Sequence, residues 1–275
     1  MQALKGALRT PVDPVQKMLL TQLEEMRAHS AQVLLSSSAE PLHDLRIATL
    51  RASFALKFFR KFLEHRGCDG LRDVFFRARR VMAKRRDWDI FSAHMKMDFK
   101  VLDLSPSLRE QIGKVIKEQK ARAHKDLTKI LQSHRYQQAL EDLKWISSTR
   151  NKKRLKAAPL LNRCVKRMER EPLTGKSSQL HKVRIAFKQL RYACEFLSGF
   201  YAQQKLPLSL REMVAMQDWL GDYRDAINTV KMLNRLKVMI KSDEMSKLVK
   251  LERKRALDAR KKFTKIYTLK YRHTF

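Results

Sequence analysis

At 275 residues the chain can form one large domain or two smaller ones, and its 60 Lys and Arg against 28 Asp and Glu give a formal charge of +32 and a pI near 10.4. Self-repulsion of this size costs stability and is tolerated where the partner is a polyanion, so the candidates are nucleic acid, an anionic membrane surface or a phosphate polymer. Seven Gly and seven Pro disfavour a turn-rich β architecture and predict an all-α chain; Cys68, Cys164 and Cys194, with no CxxC spacing, suggest neither a disulfide framework nor a zinc ribbon and suit a cytoplasmic protein.

The first fifteen residues lack an apolar core of signal-peptide length, and no run of eighteen apolar residues occurs, so no membrane insertion is expected. Asp13 and Pro14 read as the cap and first residue of a helix running to about Leu35, with Val15, Met18, Leu19 and Leu23 as its buried stripe. Ser36–Pro41 breaks it. A second helix is predicted from Leu42 to about Glu64, ended by the two-glycine turn at Gly67 and Gly70. A third begins near Leu71 and reaches a bend at Asp98–Pro106, where Ser105 caps the next helical region, Ser107 to Ile146 with an interruption near Ser133. Residues 150–170 carry nine basic side chains and one acidic, which marks a positive connector and the boundary between halves. Helices at about 159–171, from Leu180, at 208–241 and at 243–267 complete the chain, separated by the PLTGKS turn and Leu206-Pro207.

The stretch Leu180–Tyr192, LHKVRIAFKQLRY, sets His181, Arg184, Lys188 and Arg191 along one helical stripe and Val183, Phe187, Leu190, Cys194 and Leu197 along another. That is a basic row beside a buried seam. Its opening recurs at Leu42–Arg46, LHDLR. His43 and His181, Arg46 and Arg184, Phe58 and Phe196, and the dipeptides Arg86-Asp87 and Arg224-Asp225 are all separated by 138 residues. One constant offset across unrelated loops indicates internal duplication. The expected architecture is two tandem four-helix bundles, 13–147 and 151–267, related by a pseudo-two-fold axis within a single unit spanning 1–275, with the His-bearing helices facing each other.

LHKVRIAFKQLRY followed by MQDWLGDYRDAINTVKML resembles the CHAD family, the conserved-histidine α-helical domains, over nearly the whole chain. The resemblance implies a two-repeat helical fold whose basic central surface binds inorganic polyphosphate, often at polyphosphate granules in bacteria. The first repeat departs from the pattern, with Leu50 and Ser53 where the second has Lys188 and Arg191. It contributes fewer cations through that stripe, or draws them from Arg79, Arg80, Lys84 and Arg85.

The polyphosphate-binding residues are therefore expected to be His43, Arg46, Arg51, Lys57, Arg79, Arg80, Lys84, His181, Arg184, Lys188 and Arg191. Arg meets oxyanions bidentately and Lys supplies a mobile charge. The histidines read either as donors to phosphate or as ties between a helix start and nearby backbone, and Asp87 and Asp225 either orient the cations or pair structurally between helices. No HxxxH or HExxH spacing points to a metal, and neither an alternating ExE pattern nor a complete phosphate loop is present, since Arg170 stands where the GKS at 175–177 would need its upstream glycine. The reading is a non-enzymatic binder with no cofactor. Its rivals are an RNA- or DNA-binding protein using the same charge and a metal-dependent phosphohydrolase. Phe54, Phe58, Phe75, Met82, Met213, Met216, Trp219, Leu220, Tyr223 and Ile227 are read as core, and Gly221 as a point of close helix packing.

Overall fold

The computed structural model describes residues 14–64, 67–149, 155, 157–170, 177–197 and 209–271, and every regular element among them is an α-helix. α1 (Pro14–Leu35) starts on the proline and buries Val15, Leu19, Leu23, Met26 and Val33. α2 (Ala39–Phe58) starts three residues before the predicted Leu42. Pro41 falls in its first turn, where a backbone N–H would have no intrahelical acceptor, so the proline is accommodated and only Ser36–Ser38 interrupts the chain. The helix predicted to reach Glu64 breaks at Phe59, whose N–H still bonds Ala55 O at 2.9 Å, and resumes as the single turn α3 (Arg60–Leu63). The break lets Phe58, Phe59, Phe62 and Leu63 all reach the core.

α4 (Cys68–Val101) is the longest helix. Ser105 Oγ accepts the Leu108 N–H and Pro106 opens α5 (Pro106–Leu131), while Ser133 accepts the Tyr136 N–H and starts α6 (His134–Ser148). The Ser105 cap stands where the sequence placed it, and Ser133 caps the helix that follows the expected interruption. The second half contains α7 (Ala157–Glu169), α8 (Ser177–Phe196), α9 (Leu210–Met239) and α10 (Met245–Tyr271). A reciprocal capping box between Ser209 and Glu212 fixes the start of α9. Asp13, most of the connector at 150–156, the turn at 171–176, Leu206-Pro207 and the tail from 272 lie outside the described residues.

Helix bounds follow the sequence offset. Ala39 to Ser177, Phe58 to Phe196 and Val101 to Met239 are each steps of 138 residues, so α8 coincides with α2 and α9 ends as α4 does. The apolar packing nevertheless crosses the midpoint. One core joins Leu45, Leu56, Phe75 and Met82 of the first half to Phe187, Leu190, Met216 and Phe263 of the second. A smaller one packs Phe91, Met95, Leu104 and Ile112 against Leu233, Leu236, Met245 and Leu248. Continuous burial of this kind holds α2 against α8 and α4 against α9. Of the residues read as core, Phe58, Phe75, Met82, Met213, Met216 and Leu220 are buried; Phe54, Trp219 and Tyr223 are partly buried against the larger core, and Ile227 is half-buried.

A buried polar tie crosses the smaller core. Glu252, fully inaccessible, accepts from His94 Nδ1 at 2.9 Å and pairs with Arg255, whose Nη2 reaches Asp98 at 2.6 Å. Burial first, and the Glu252 charge second, push the Asp98 carboxyl up to about 6. No described helix is long and apolar enough to cross a membrane.

Candidate anion-binding site

Four helices bring their basic residues to the place where the halves meet. α2 carries His43 and Arg46, α8 carries His181, Arg184 and Lys188, and α4 and α9 supply Arg86-Asp87 and Arg224-Asp225. Arg46 feels Asp87 most strongly, then Arg86 and Arg224; Arg184 feels Arg224 and Asp225. The Arg46–Asp87 and Arg184–Asp225 relations are thus the same relation repeated at the sequence offset. Asp87 also senses Arg224 and Asp225, and Asp225 senses Arg86, so the two sets share one electrostatic environment.

Cations outnumber carboxylates in this environment, and burial makes the imbalance costly. Desolvation, followed by the charges of Arg184, Arg46, Arg191 and Arg224, lowers Lys188 to about 7. The Nε–H groups of Arg46 and Arg184 are buried and have no hydrogen-bond partner among the described residues. Asp87 and Asp225 are themselves pushed up, by burial first, with Arg46 and Arg184 respectively opposing the shift. His43 and His181 remain partly open to solvent, yet desolvation and then neighbouring arginines hold both below 6.5. At neutral pH both rings are uncharged, able to donate one hydrogen bond and ready to gain charge beside an anion. On the α8–α9 side, His181, Arg184, Tyr223, Arg224, Asn228 and Lys231 line a cavity of about 390 Å³. Such an arrangement suits a chain of oxyanions: rigid helices aim guanidinium, ammonium and imidazole groups at one volume.

The other expected residues are placed differently. Arg51 and Arg191 both grip Glu195, Arg191 at 3.1 Å, and both lie against the Tyr192 ring, with guanidinium carbons 5.7 and 4.9 Å from its centroid. They clamp α2 to α8, and Arg191 still adds its charge at Lys188. Lys57 lines a separate groove of about 890 Å³ with Arg163, Arg167 and Arg170, where Arg163 sits over Phe58. Arg79 is half-buried on the same stripe of α4 as Arg86 and acts on Arg46. Arg80 and Lys84 are exposed and point away from that stripe, Arg80 by about a third of a turn and Lys84 by nearly half a turn. Arg85 is buried and held by Asp89. Sequence reasoning did not include Arg86 and Arg224 among the ligand-binding residues, although the dipeptide repeat that named Asp87 and Asp225 contained them.

Gly221 has a different neighbour from the one expected. A side chain there would meet the Arg184 guanidinium, with a Cβ 3.7 Å from Nη2, rather than another helix backbone. That distance is ordinary contact. Gly221→Ala is therefore expected to stabilise the helix by about 0.5–1 kcal/mol, read as a rise in the thermal midpoint, and a larger branched residue should reverse the gain by displacing Arg184.

The family model described as CHAD domain matches residues 17–234. Among solved structures, the chain is similar to PptA from Streptomyces chartreusis, with a TM-score of 0.75 and 17% identity over 93% of this chain and 98% of that one. It is also similar to the CHAD domain from the plant Ricinus communis, with a TM-score of 0.67 and 20% identity over 89% of this chain and 84% of that one. Among curated proteins, none matches.

Proposed function

The chain belongs to the CHAD-domain family, and from that premise we propose that it binds inorganic polyphosphate without cleaving it, at the convergence of α2, α4, α8 and α9. The observation that carries this reading is the uncompensated buried charge: Lys188 is depressed to about 7 among four arginines, and the Arg46 and Arg184 Nε–H groups have no acceptor among the described residues. A polyanion supplies the missing acceptors and relieves the repulsion in one step. Arg46, Arg86, Arg184, Lys188 and Arg224 hold the phosphates, His43 and His181 donate from the rim, and Asp87 and Asp225 keep Arg46 and Arg184 in place. We take the chain as one unit of two repeats, 13–147 and 151–267, joined by duplication.

Titration of Arg46→Gln/Arg184→Gln with polyphosphate tests the site. Each lost charge-assisted contact costs roughly 1.5–3 kcal/mol, so the pair should weaken binding by at least about 100-fold with the circular dichroism spectrum retained. Unchanged affinity in the folded double variant would overturn the assignment. Binding should also weaken steeply with salt, because counterions are released from the polymer. RNA that displaces polyphosphate at equal phosphate concentration would favour the nucleic-acid reading instead. Phosphate release from a pure preparation on adding Mg²⁺ or Mn²⁺ would favour the hydrolase.

A further inference from the structure

The groove that takes Lys57 lies between α7, the C-terminal end of α2 and the middle of α8. Its volume is about 890 Å³, and its charged walls are Lys57, Arg163, Lys166, Arg167 and Arg170, with no acidic side chain. The α7 members step by three and four residues, so one face of that helix is turned to the groove. Glu169, the single carboxylate of α7, is not among the walls. None of the five cations has an ion-pair partner among the described residues. Arg163 is held in place by its guanidinium carbon lying 5.8 Å from the Phe58 centroid. A solvated basic face carries its charge on one convex helix; here a second helix adds Lys57 to the same concavity and no carboxylate meets the excess.

Lys57 also relates this groove to the basic convergence. It stands on the same stripe of α2 as Arg46, eleven residues and about 16 Å further along the helix. The stripe positions between them, Leu50 and Ser53, carry no charge, so the two sets of cations are separate rather than one continuous row. Tripolyphosphate is too short to span that interval. A long chain held at Arg46 presents its further phosphates to Lys57 and α7 at high effective concentration, and the second contact adds affinity without altering the first. We propose, resting on the reading that the convergence binds polyphosphate, that the α7 groove is a second subsite for the same polymer, through which the protein selects long chains over short ones. Three of the four α7 cations are arginines, which meet phosphate oxygens bidentately. The rings in the floor do not favour nucleic acid, since Phe58 is buried beneath Arg163 and Phe54 stacks on Phe58 with centroids 5.0 Å apart.

The test is calorimetric titration, at fixed ionic strength, of wild type and Lys166→Gln/Arg167→Gln/Arg170→Gln with tripolyphosphate and with a chain of about 45 phosphates. The three replaced side chains are exposed and Arg163 keeps its place on Phe58, so the fold is retained. The variant is expected to bind tripolyphosphate within about twofold of wild type and the long chain at least about tenfold more weakly. Lys114→Gln/Lys117→Gln/Lys125→Gln removes the same charge from exposed positions of α5 and should hold the long chain within about threefold of wild type. Equal loss in that control would overturn the proposal by assigning the effect to overall charge, as would an α7 variant that keeps the long chain or loses tripolyphosphate to the same degree. Loss of single-stranded RNA binding by the α7 variant with polyphosphate untouched would likewise overturn it, giving the groove to nucleic acid. The two readings fail separately: if wild type binds neither chain, the central site falls and this subsite with it, whereas if Arg46→Gln/Arg184→Gln weakens both chains and the α7 variant neither, the α7 subsite alone falls.

Discussion

Replacing Arg85 by Met is expected to destabilise the protein by about 3 kcal/mol, a fall of roughly 6–12 °C in thermal midpoint for a chain of this size. Arg85 is 2% exposed, pairs with the equally buried Asp89, and donates from Nη2 to the Ser37 carbonyl at 2.8 Å. It therefore fixes the short linker between α1 and α2 to the middle of α4. Without it, the Ser37 carbonyl loses its donor and the Asp89 charge is left with Lys120 alone, whose side chain is about a third exposed. A buried ion pair gains little over an apolar pair of the same volume, but half of one is costly. Arg85→Met/Asp89→Leu should consequently recover most of the loss in a thermal or urea melt. If the double variant is as unstable as the single one, the Ser37 contact rather than the ion pair carries the effect.

Arg85 also shows what the sequence could reveal and what it could not. As one of several cations in RARRVMAKRR it was grouped with Arg79, Arg80 and Lys84, although it alone of the four has an acid, Asp89, four positions later; what the spacing does not give is that this pair is buried. Helix starts were legible at Pro14 and at Ser105 with Pro106, as was an interruption at Ser133; the Ser209–Glu212 capping box was not read, although the helix it opens was placed near residue 208. They shifted at Ala39 and Cys68, where no side chain accepts from the helix start and the first turn absorbs a proline or a glycine that reads as a breaker. The 138-residue offset located both halves of the candidate site. It did not expose the fates of Arg51 and Arg191, whose shared partner Glu195 lies 144 residues from Arg51 in sequence and meets it only through the packing of α2 on α8. Arg86 and Arg224 were passed over for a simpler reason. The dipeptide was read through its aspartates, whereas the fold turns both its members toward the same charged volume.

Lys188 links that volume to pH. Its folded value of about 7 lies far below the ordinary 10.5, because charging it means desolvating an ammonium among arginines. The unfolded chain thus binds more protons than the folded one between pH 7 and 10.5, so the penalty is complete below pH 7 and fades as pH rises toward 10.5. Lys188→Met should accordingly raise the stability of the free protein, by about 1–2 kcal/mol at pH 6 after allowing for solvent screening, and by progressively less as pH rises above 7. Binding has the opposite slope. A polyanion favours the charged ammonium, so the complex takes up a proton above pH 7 and affinity falls by up to tenfold per pH unit, approaching 100-fold between pH 7 and 9. In Lys188→Met, binding is weaker throughout and flat over that window. The tightening that remains at acid pH comes from His43 and His181, whose values burial and arginines have lowered and an anion raises again. Calorimetry at pH 8 in two buffers of different ionisation enthalpy measures the proton directly. An uptake near zero in wild type would show that Lys188 does not meet the anion, and would move the cationic centre of the site to the four arginines alone.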